Sequence, residues 1–130
     1  MMLRVTREVL DRMLAEAEDA REKECCGLLL GSGTVDEARP ATNVAKDPRR
    51  RFEIDPQALV DAYRAAREGG PAVIGFYHSH PTGQAAPSAT DRAMAAGDGK
   101  VWAILGKDGV TFWRDEKQGF APLPYAVEDS

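Results

Sequence analysis

Both histidines of this 130-residue chain lie in one segment, residues 78–91, together with a serine and an aspartate. In an extended backbone, side chains two positions apart point to the same face, so His78 and His80 can bind one metal ion from the end of a strand. Asp91 would add a carboxylate to the two imidazoles. A zinc ion with three protein ligands keeps a fourth position for water, which is typical of catalytic rather than structural sites.

The same residues have a plainer interpretation. A pair of histidines at a strand end is often only part of a polar loop. Ser88-x-x-Asp91 also matches a capping box, in which the serine and the acidic residue satisfy the first N–H groups of a helix. The two interpretations are compatible, and the coincidence of both histidines, one aspartate and a loop shaped by proline and glycine favours the metal site.

A hydrolytic zinc site also needs a general base, and Glu24 is the candidate. It directly precedes an apolar segment, residues 25–31, and can project from a sheet into a cleft. Its position alone, beside Glu22 and Lys23, favours a solvated charge at the end of a helix instead.

These segments together resemble the JAMM motif of the JAB/MPN metalloproteases. The matching pattern is a distant glutamate before a short apolar strand, then two histidines, seven residues, and a serine and aspartate, written as Glu24-x-Cys26-Gly27-Leu28-Leu29-Leu30-Gly31, His78-x-His80 and Ser88-x-x-Asp91. The resemblance implies one zinc ion on His78, His80 and Asp91. It also implies that Glu24 is the general base and acid, and that Ser88 polarises the scissile carbonyl. We therefore prefer the catalytic interpretation of Glu24.

The resemblance also implies a reaction and a partner. Members of this family cleave peptide or isopeptide bonds after the C-terminal glycines of ubiquitin or ubiquitin-like proteins. A chain of 130 residues has no room for the large insertions of the eukaryotic deubiquitinating members, so it resembles the minimal bacterial type. The expected function is that of a zinc metallopeptidase that hydrolyses the bond after the Gly-Gly tail of a small sulfur-carrier protein.

The helices and strands that must position these residues are expected to form an α/β fold in a single domain spanning residues 1–130. Helices interleave with strands and a meander follows, which predicts a mixed, mostly antiparallel sheet flanked by helices; the resemblance implies cytidine-deaminase-like layering. We expect strands at residues 25–31, 37–45, 72–78, 101–105, 110–113 and 120–125.

Three helices are expected between these strands. Thr6 caps the first, which ends about Lys23, and its buried stripe is predicted to be Leu10, Met13, Leu14 and Ala17. The second begins at Asp55-Pro56 and ends at Gly69-Gly70, with Leu59, Val60, Tyr63 and Ala66 buried. The third runs from Ser88 to Gly97.

Composition excludes several classes of protein. With 17 basic and 21 acidic side chains, a net charge of −4 and a pI near 5.2, the chain does not attract nucleic acid through its overall charge. Its longest apolar runs are far shorter than the roughly 20 residues of a membrane-spanning helix. Adjacent cysteines, Cys25 and Cys26, cannot close a useful loop, and no signal-peptide pattern is evident, so we expect a cytoplasmic protein.

Four alternatives remain open. A non-catalytic MPN scaffold would typically lack the metal ligands. A DNA-repair-associated JAB protein usually has asparagine between the histidines, where Ser79 stands here. Cys25 or Cys26 could be a thiol nucleophile, although core cysteines are more often inert. Residues 49–51, three arginines, could contact an acidic carrier protein or simply form a solvated turn.

Overall fold

The computed structural model describes residues 2–129, and an eight-stranded mixed sheet forms its centre. The strand order is β7-β6-β5-β4-β2-β3-β1-β8, with parallel pairing for β1–β3, β1–β8 and β4–β5 and antiparallel pairing elsewhere. The predicted mixed, mostly antiparallel sheet is confirmed. The strands are β1 (Leu3–Thr6), β2 (Cys26–Gly31), β3 (Val35–Ala41), β4 (Ala72–Ser79), β5 (Val101–Gly106), β6 (Gly109–Glu116), β7 (Gly119–Pro122) and β8 (Tyr125–Glu128).

The sheet is covered on both faces, as the short apolar segment in β2 predicts. Leu29 belongs to a core cluster with Val9 and Met13 of helix α1 (Arg7–Ala20). Leu28 and Leu30, on the other face of β2, belong to a second cluster with Ala62 of helix α2 (Pro56–Arg67). The strand therefore runs through the middle of the protein with a helix on each side.

The helix caps were predicted correctly, but the buried faces were only partly right. Thr6 and Asp55 cap α1 and α2, and Ser88 caps helix α3 (Ala89–Met94). Leu14 and Val60, both predicted to be buried, are 48% and 47% exposed. The apolar stripe of each helix is rotated: Val9 replaces Leu14 in α1, and Ala62 is the buried residue of α2.

Several element boundaries also differ. Helix α1 ends at Ala20, because Arg21 adopts a positive φ of 56°, and not at Lys23. Strand β3 runs over Val35–Ala41 and not over residues 37–45, and β1 was not predicted. The expected last strand is two strands, β7 and β8, interrupted where Pro122 and Pro124 cannot donate to a ladder.

This topology brings together the segments that carry the candidate site. The end of β4 lies between the start of β2 and the end of β5, with His78 opposite Cys26 and Ile104. Helix α3 follows β4 after one loop. No helix within residues 2–129 has the length and apolar character needed to cross a membrane.

Candidate metal centre

The structure brings together side-chain atoms of His78, His80 and Asp91, within 4.8 Å of one another. The two Nε2 atoms are 3.0 Å apart. Asp91 places Oδ1 3.0 Å from Nε2 of His78 and Oδ2 3.1 Å from Nε2 of His80. The imidazole of His78 in β4, that of His80 directly after β4 and the carboxylate on the first turn of α3 thus converge on one point.

The tautomer of His80 follows from its second ring nitrogen. Nδ1 of His80 lies 2.9 Å from the carbonyl oxygen of Gln84, which can only accept, so Nδ1 donates. In the neutral ring, Nε2 then presents a lone pair to Asp91 Oδ2, which is also an acceptor. A cation between them would relieve this contact between two acceptors.

Besides the contact of its Nε2 with Asp91, His78 is held by aromatic rings. Its imidazole is fully buried and stacks on Phe52, with centroids 4.2 Å apart and planes inclined by 19°. Trp102 meets it edge-on at 5.6 Å. Its Nδ1 is buried and has no hydrogen-bond partner. The ring plane is therefore fixed with Nε2 directed at His80 and Asp91.

The electrostatics favour the ligand form of two of these groups. Burial lowers the pKa of His78, which favours the neutral imidazole. Burial alone would raise the pKa of Asp91, but hydrogen bonds with His78 and His80 outweigh it and hold that pKa below its ordinary value. For His80, burial lowers the pKa, but Asp91 and the Gln84 carbonyl outweigh it and raise the pKa. A donor set of two imidazoles and one carboxylate suits zinc.

Ser88 and Asp91 form the predicted capping box. Ser88 Oγ accepts from the Asp91 N–H at 3.0 Å, and Asp91 Oδ2 accepts from the Ser88 N–H at 2.9 Å. Asp91 therefore serves the cap and faces the histidines at the same time. Because Ser88 Oγ is an acceptor in the cap, its hydroxyl hydrogen is available for another group.

Glu24 is buried at the start of β2, with 7% of its surface exposed, and is not a solvated charge. Its Oε1 is buried and has no hydrogen-bond partner. Burial raises the pKa of Glu24 to about 7, while the charge of His80 lowers it and that of Asp91 raises it. A carboxylate with a pKa near neutrality can both accept and return a proton at physiological pH.

Sequence reasoning missed residues that support this group. Phe52 follows the arginines of residues 49–51 and carried no signal of its own. Gln84 acts through its main chain, so no side-chain pattern could reveal it. Asn43 and Ser79 hydrogen-bond to the carbonyl oxygen and the N–H of the Glu24–Cys25 peptide; an asparagine near a strand end was a signal that could have been noticed.

Two of the alternatives lose support from the structure. Cys25 and Cys26 are free thiols, and burial raises their pKa values to about 11 and about 12, so neither is ionised near neutrality. In residues 49–51, Arg49 pairs with Glu22 at 3.2 Å and Arg50 with Asp47 at 3.7 Å. These pairs reduce the positive charge available to an acidic partner.

Comparisons with known proteins support the fold and identify the family of the chain. The chain is 41% identical over 109 residues to a desampylase of Haloferax volcanii, covering 81% of this chain and 78% of that protein. It is 34% identical over 110 residues to a probable TtuB-protein conjugate cleaving protease of Thermus thermophilus, covering 85% and 74%. A crystal structure of a JAB1/MPN domain protein from Archaeoglobus fulgidus, 22% identical, shares the fold with a TM-score of 0.64 over 98% of each chain. Residues 6–116 match the model of the prokaryotic homologs of the JAB domain, so the chain belongs to that family.

Proposed function

We propose that this protein is a zinc metallopeptidase that hydrolyses the bond after the C-terminal Gly-Gly of a ubiquitin-like sulfur-carrier protein. The proposal rests on the convergence of His78, His80 and Asp91 and on the buried carboxyl group of Glu24, whose pKa responds to the charges of His80 and Asp91. The relatives described above, a desampylase and a conjugate-cleaving protease, support hydrolysis of carrier conjugates and not a scaffold role.

In this proposal His78, His80 and Asp91 hold one zinc ion per chain. Bound there, zinc would polarise the scissile carbonyl and make water more acidic. Glu24 takes the proton of the attacking water and passes it to the leaving amine. Its raised pKa matches both steps, because the group must be ionised first and protonated afterwards.

Ser88 would donate its hydroxyl hydrogen to the carbonyl oxygen as negative charge develops on it. Its oxygen is already held by the Asp91 N–H at 3.0 Å, so the donor oxygen is in position before substrate binds. A donor positioned in advance stabilises the transition state without the cost of reorganisation.

The enclosure of the site supports a glycine tail. His78 and Asp91 are buried, and Phe52 and Trp102 occupy the space beside His78. A substrate main chain must therefore come close to the metal ligands, and Gly-Gly has no Cβ to clash with them. The two free thiols, Cys25 and Cys26, fit action in the reducing cytoplasm.

The experiment is mass spectrometry of a sulfur carrier that bears one extra residue after Gly-Gly. Zinc-loaded protein should release that residue, and a carrier with valine in place of the final glycine should stay intact. Glu24→Gln should keep about one zinc per chain by elemental analysis but lose roughly 10²- to 10⁴-fold in turnover. An intact Gly-Gly adduct, equal cleavage of the valine carrier, or Glu24→Gln activity within about threefold of wild type would contradict the proposal.

A second measurement tests the ligands without activity. The double variant His78→Ala, His80→Ala should contain no zinc after purification in the presence of the metal. Stoichiometric zinc in that variant would show that the ion binds elsewhere.

A further inference from the structure

The peptide unit between Glu24 and Cys25 lies just outside the sheet, since β2 begins at Cys26. Its carbonyl oxygen and its N–H nonetheless each form a hydrogen bond with a side chain from another segment. The Glu24 carbonyl accepts from Nδ2 of Asn43 at 3.0 Å. The Cys25 N–H donates to Oγ of Ser79 at 2.9 Å. One peptide plane is thus held at both its oxygen and its nitrogen.

Asn43 uses its whole side-chain amide in this arrangement. Besides Glu24, its Nδ2 donates to the Arg51 carbonyl at 3.1 Å. Its Oδ1 accepts from the N–H groups of Ala45 and Glu53, both at 3.0 Å. The amide therefore joins the start of β2 to both arms of the loop of residues 44–53, and the loop itself adds a bond from the Glu24 N–H to the Pro48 carbonyl at 2.7 Å.

Ser79 stands between the two histidines and completes a reciprocal contact. Its N–H donates to the Cys25 carbonyl at 3.1 Å, while its hydroxyl oxygen accepts the Cys25 N–H. The strand end that carries His78 and His80 is thereby fixed to the residue that follows Glu24. A change in either bond would shift Glu24 relative to the histidines.

The carboxylate of Glu24 needs such support from its main chain. Its Oε1 has no hydrogen-bond partner, so the position of the carboxylate depends on the direction of its Cα–Cβ bond. That direction is set by the two peptide planes that flank Glu24. We infer that Asn43 and Ser79 are positioning residues that clamp the Glu24–Cys25 peptide and thereby fix the position of the Glu24 carboxylate relative to the metal-site residues. This inference rests on the role of Glu24 in the proposed function.

The first test measures the clamp without activity, by amide hydrogen exchange of Cys25 in the zinc-loaded protein. Ser79→Ala removes the acceptor, so the Cys25 N–H should exchange at least about tenfold faster, because this donor has no ladder partner. Ser79→Thr keeps a hydroxyl oxygen and should restore slow exchange. Thr6→Ala is the matched control: it removes a buried cap bond of 3.3 Å to the Val9 N–H in the α1 core cluster.

The second test measures kcat and KM on the Gly-Gly carrier. Asn43→Ala and Ser79→Ala should lower kcat about 10- to 100-fold with KM within about twofold and zinc retained, as expected for a displaced catalytic group. Ser79→Thr should stay within about threefold of wild type, and Thr6→Ala should lose stability without this loss of kcat. In a Glu24→Gln background, the same two alanine changes should have no further effect, because they act through Glu24.

Failure of this inference is distinct from failure of the proposed function. If wild-type protein leaves the carrier intact, the proposed function fails, and the exchange test still decides whether the clamp exists. Equal Cys25 exchange in wild type and Ser79→Ala would overturn the clamp. Equal kcat in Ser79→Ala and Thr6→Ala, or an undiminished loss in the Glu24→Gln background, would overturn the positioning role.

Discussion

At the residue scale, the function proposed for Glu24 conflicts with stability. The side chain is buried, and burial raises its pKa to about 7 from an ordinary value of 4.5. The sequence identified this residue only through its place in a motif, because its immediate neighbours Glu22 and Lys23 are exposed charges. Burial of a single glutamate in a run of charges depends on how the loop of residues 44–53 folds back, and no local pattern reveals that.

The first prediction concerns the pH dependence of unfolding in zinc-depleted protein. A carboxyl group with a raised folded-state pKa binds its proton more tightly in the folded state. Its stabilising contribution is complete below about pH 4.5 and is lost as the pH rises through 7. Glu24→Gln cannot ionise, so its free energy of unfolding should exceed that of wild type by about 1–2 kcal/mol at pH 8.5, after allowance for partial hydration.

Chemical denaturation at several pH values measures this difference. Near pH 4.5 the two proteins should be equally stable. Parallel stability curves over the whole range would show that Glu24 does not ionise with a raised pKa.

At the element scale, helix α3 has a structural role in its cap and, in the proposed function, a chemical role as well. Its cap was evident from Ser88-x-x-Asp91, because capping needs only local spacing. The sequence did not show which group holds His80 in place, because that contact depends on the close packing of the loop of residues 83–86 against the end of β5. The carbonyl of Gln84 reaches His80 only because Gly106 leaves space there. Contacts of this kind join residues distant in sequence and leave no periodic signal.

The second prediction separates the cap from the hydroxyl of Ser88. Ser88→Ala should lower the free energy of unfolding by about 1 kcal/mol, whereas Ser88→Gly should lower it by only a few tenths. Both changes remove the hydroxyl hydrogen, so both should reduce kcat by roughly 10²-fold or more. Turnover of the glycine variant close to wild type, with zinc retained, would limit Ser88 to capping.

The third prediction concerns Gly106. A Cβ there would overlap main-chain atoms of Gln84 and Ala85, so Gly106→Ala should displace the Gln84 carbonyl from His80. Loss of such a support typically lowers metal affinity about 10- to 100-fold. Competition with a zinc chelator measures the affinity.

Gly83→Ala is the control in the same loop, because a Cβ there would meet His80 Cβ at an ordinary 3.5 Å. Its zinc affinity should stay within about twofold of wild type. Equal affinities in the two variants would contradict the proposed support of His80 by Gln84.

At the scale of the whole molecule, the candidate ligands connect two parts of the chain that are otherwise joined by a loop. His78 lies in β4, in the middle of the sheet, His80 directly follows that strand, and Asp91 belongs to α3. The order of helices and strands predicted this meeting, since β4 and α3 are consecutive. It did not predict the sheet order or the parallel β1–β8 pair, which join distant segments.

The fourth prediction follows from this connection. The proposed zinc ion would bind the folded chain through groups that come together only on folding, so zinc should stabilise that state. At a free concentration about 100 times its dissociation constant, zinc should add about 2.7 kcal/mol and raise Tm by roughly 8 °C or more. Calorimetry with and without chelator measures the shift, and the double variant His78→Ala, His80→Ala should show none.

The edge-on contact between Trp102 and His78 provides an intrinsic fluorescence probe of the site. The two ring centroids are 5.6 Å apart, and the indole is almost wholly enclosed. The emission of such an indole depends on the charge and ligation of the imidazole beside it. Trp113 is the second of two tryptophans, and its replacement by phenylalanine would leave Trp102 as the single emitter. Occupation of the site could then be followed in real time by ultraviolet fluorescence, with no dye attached to the chain.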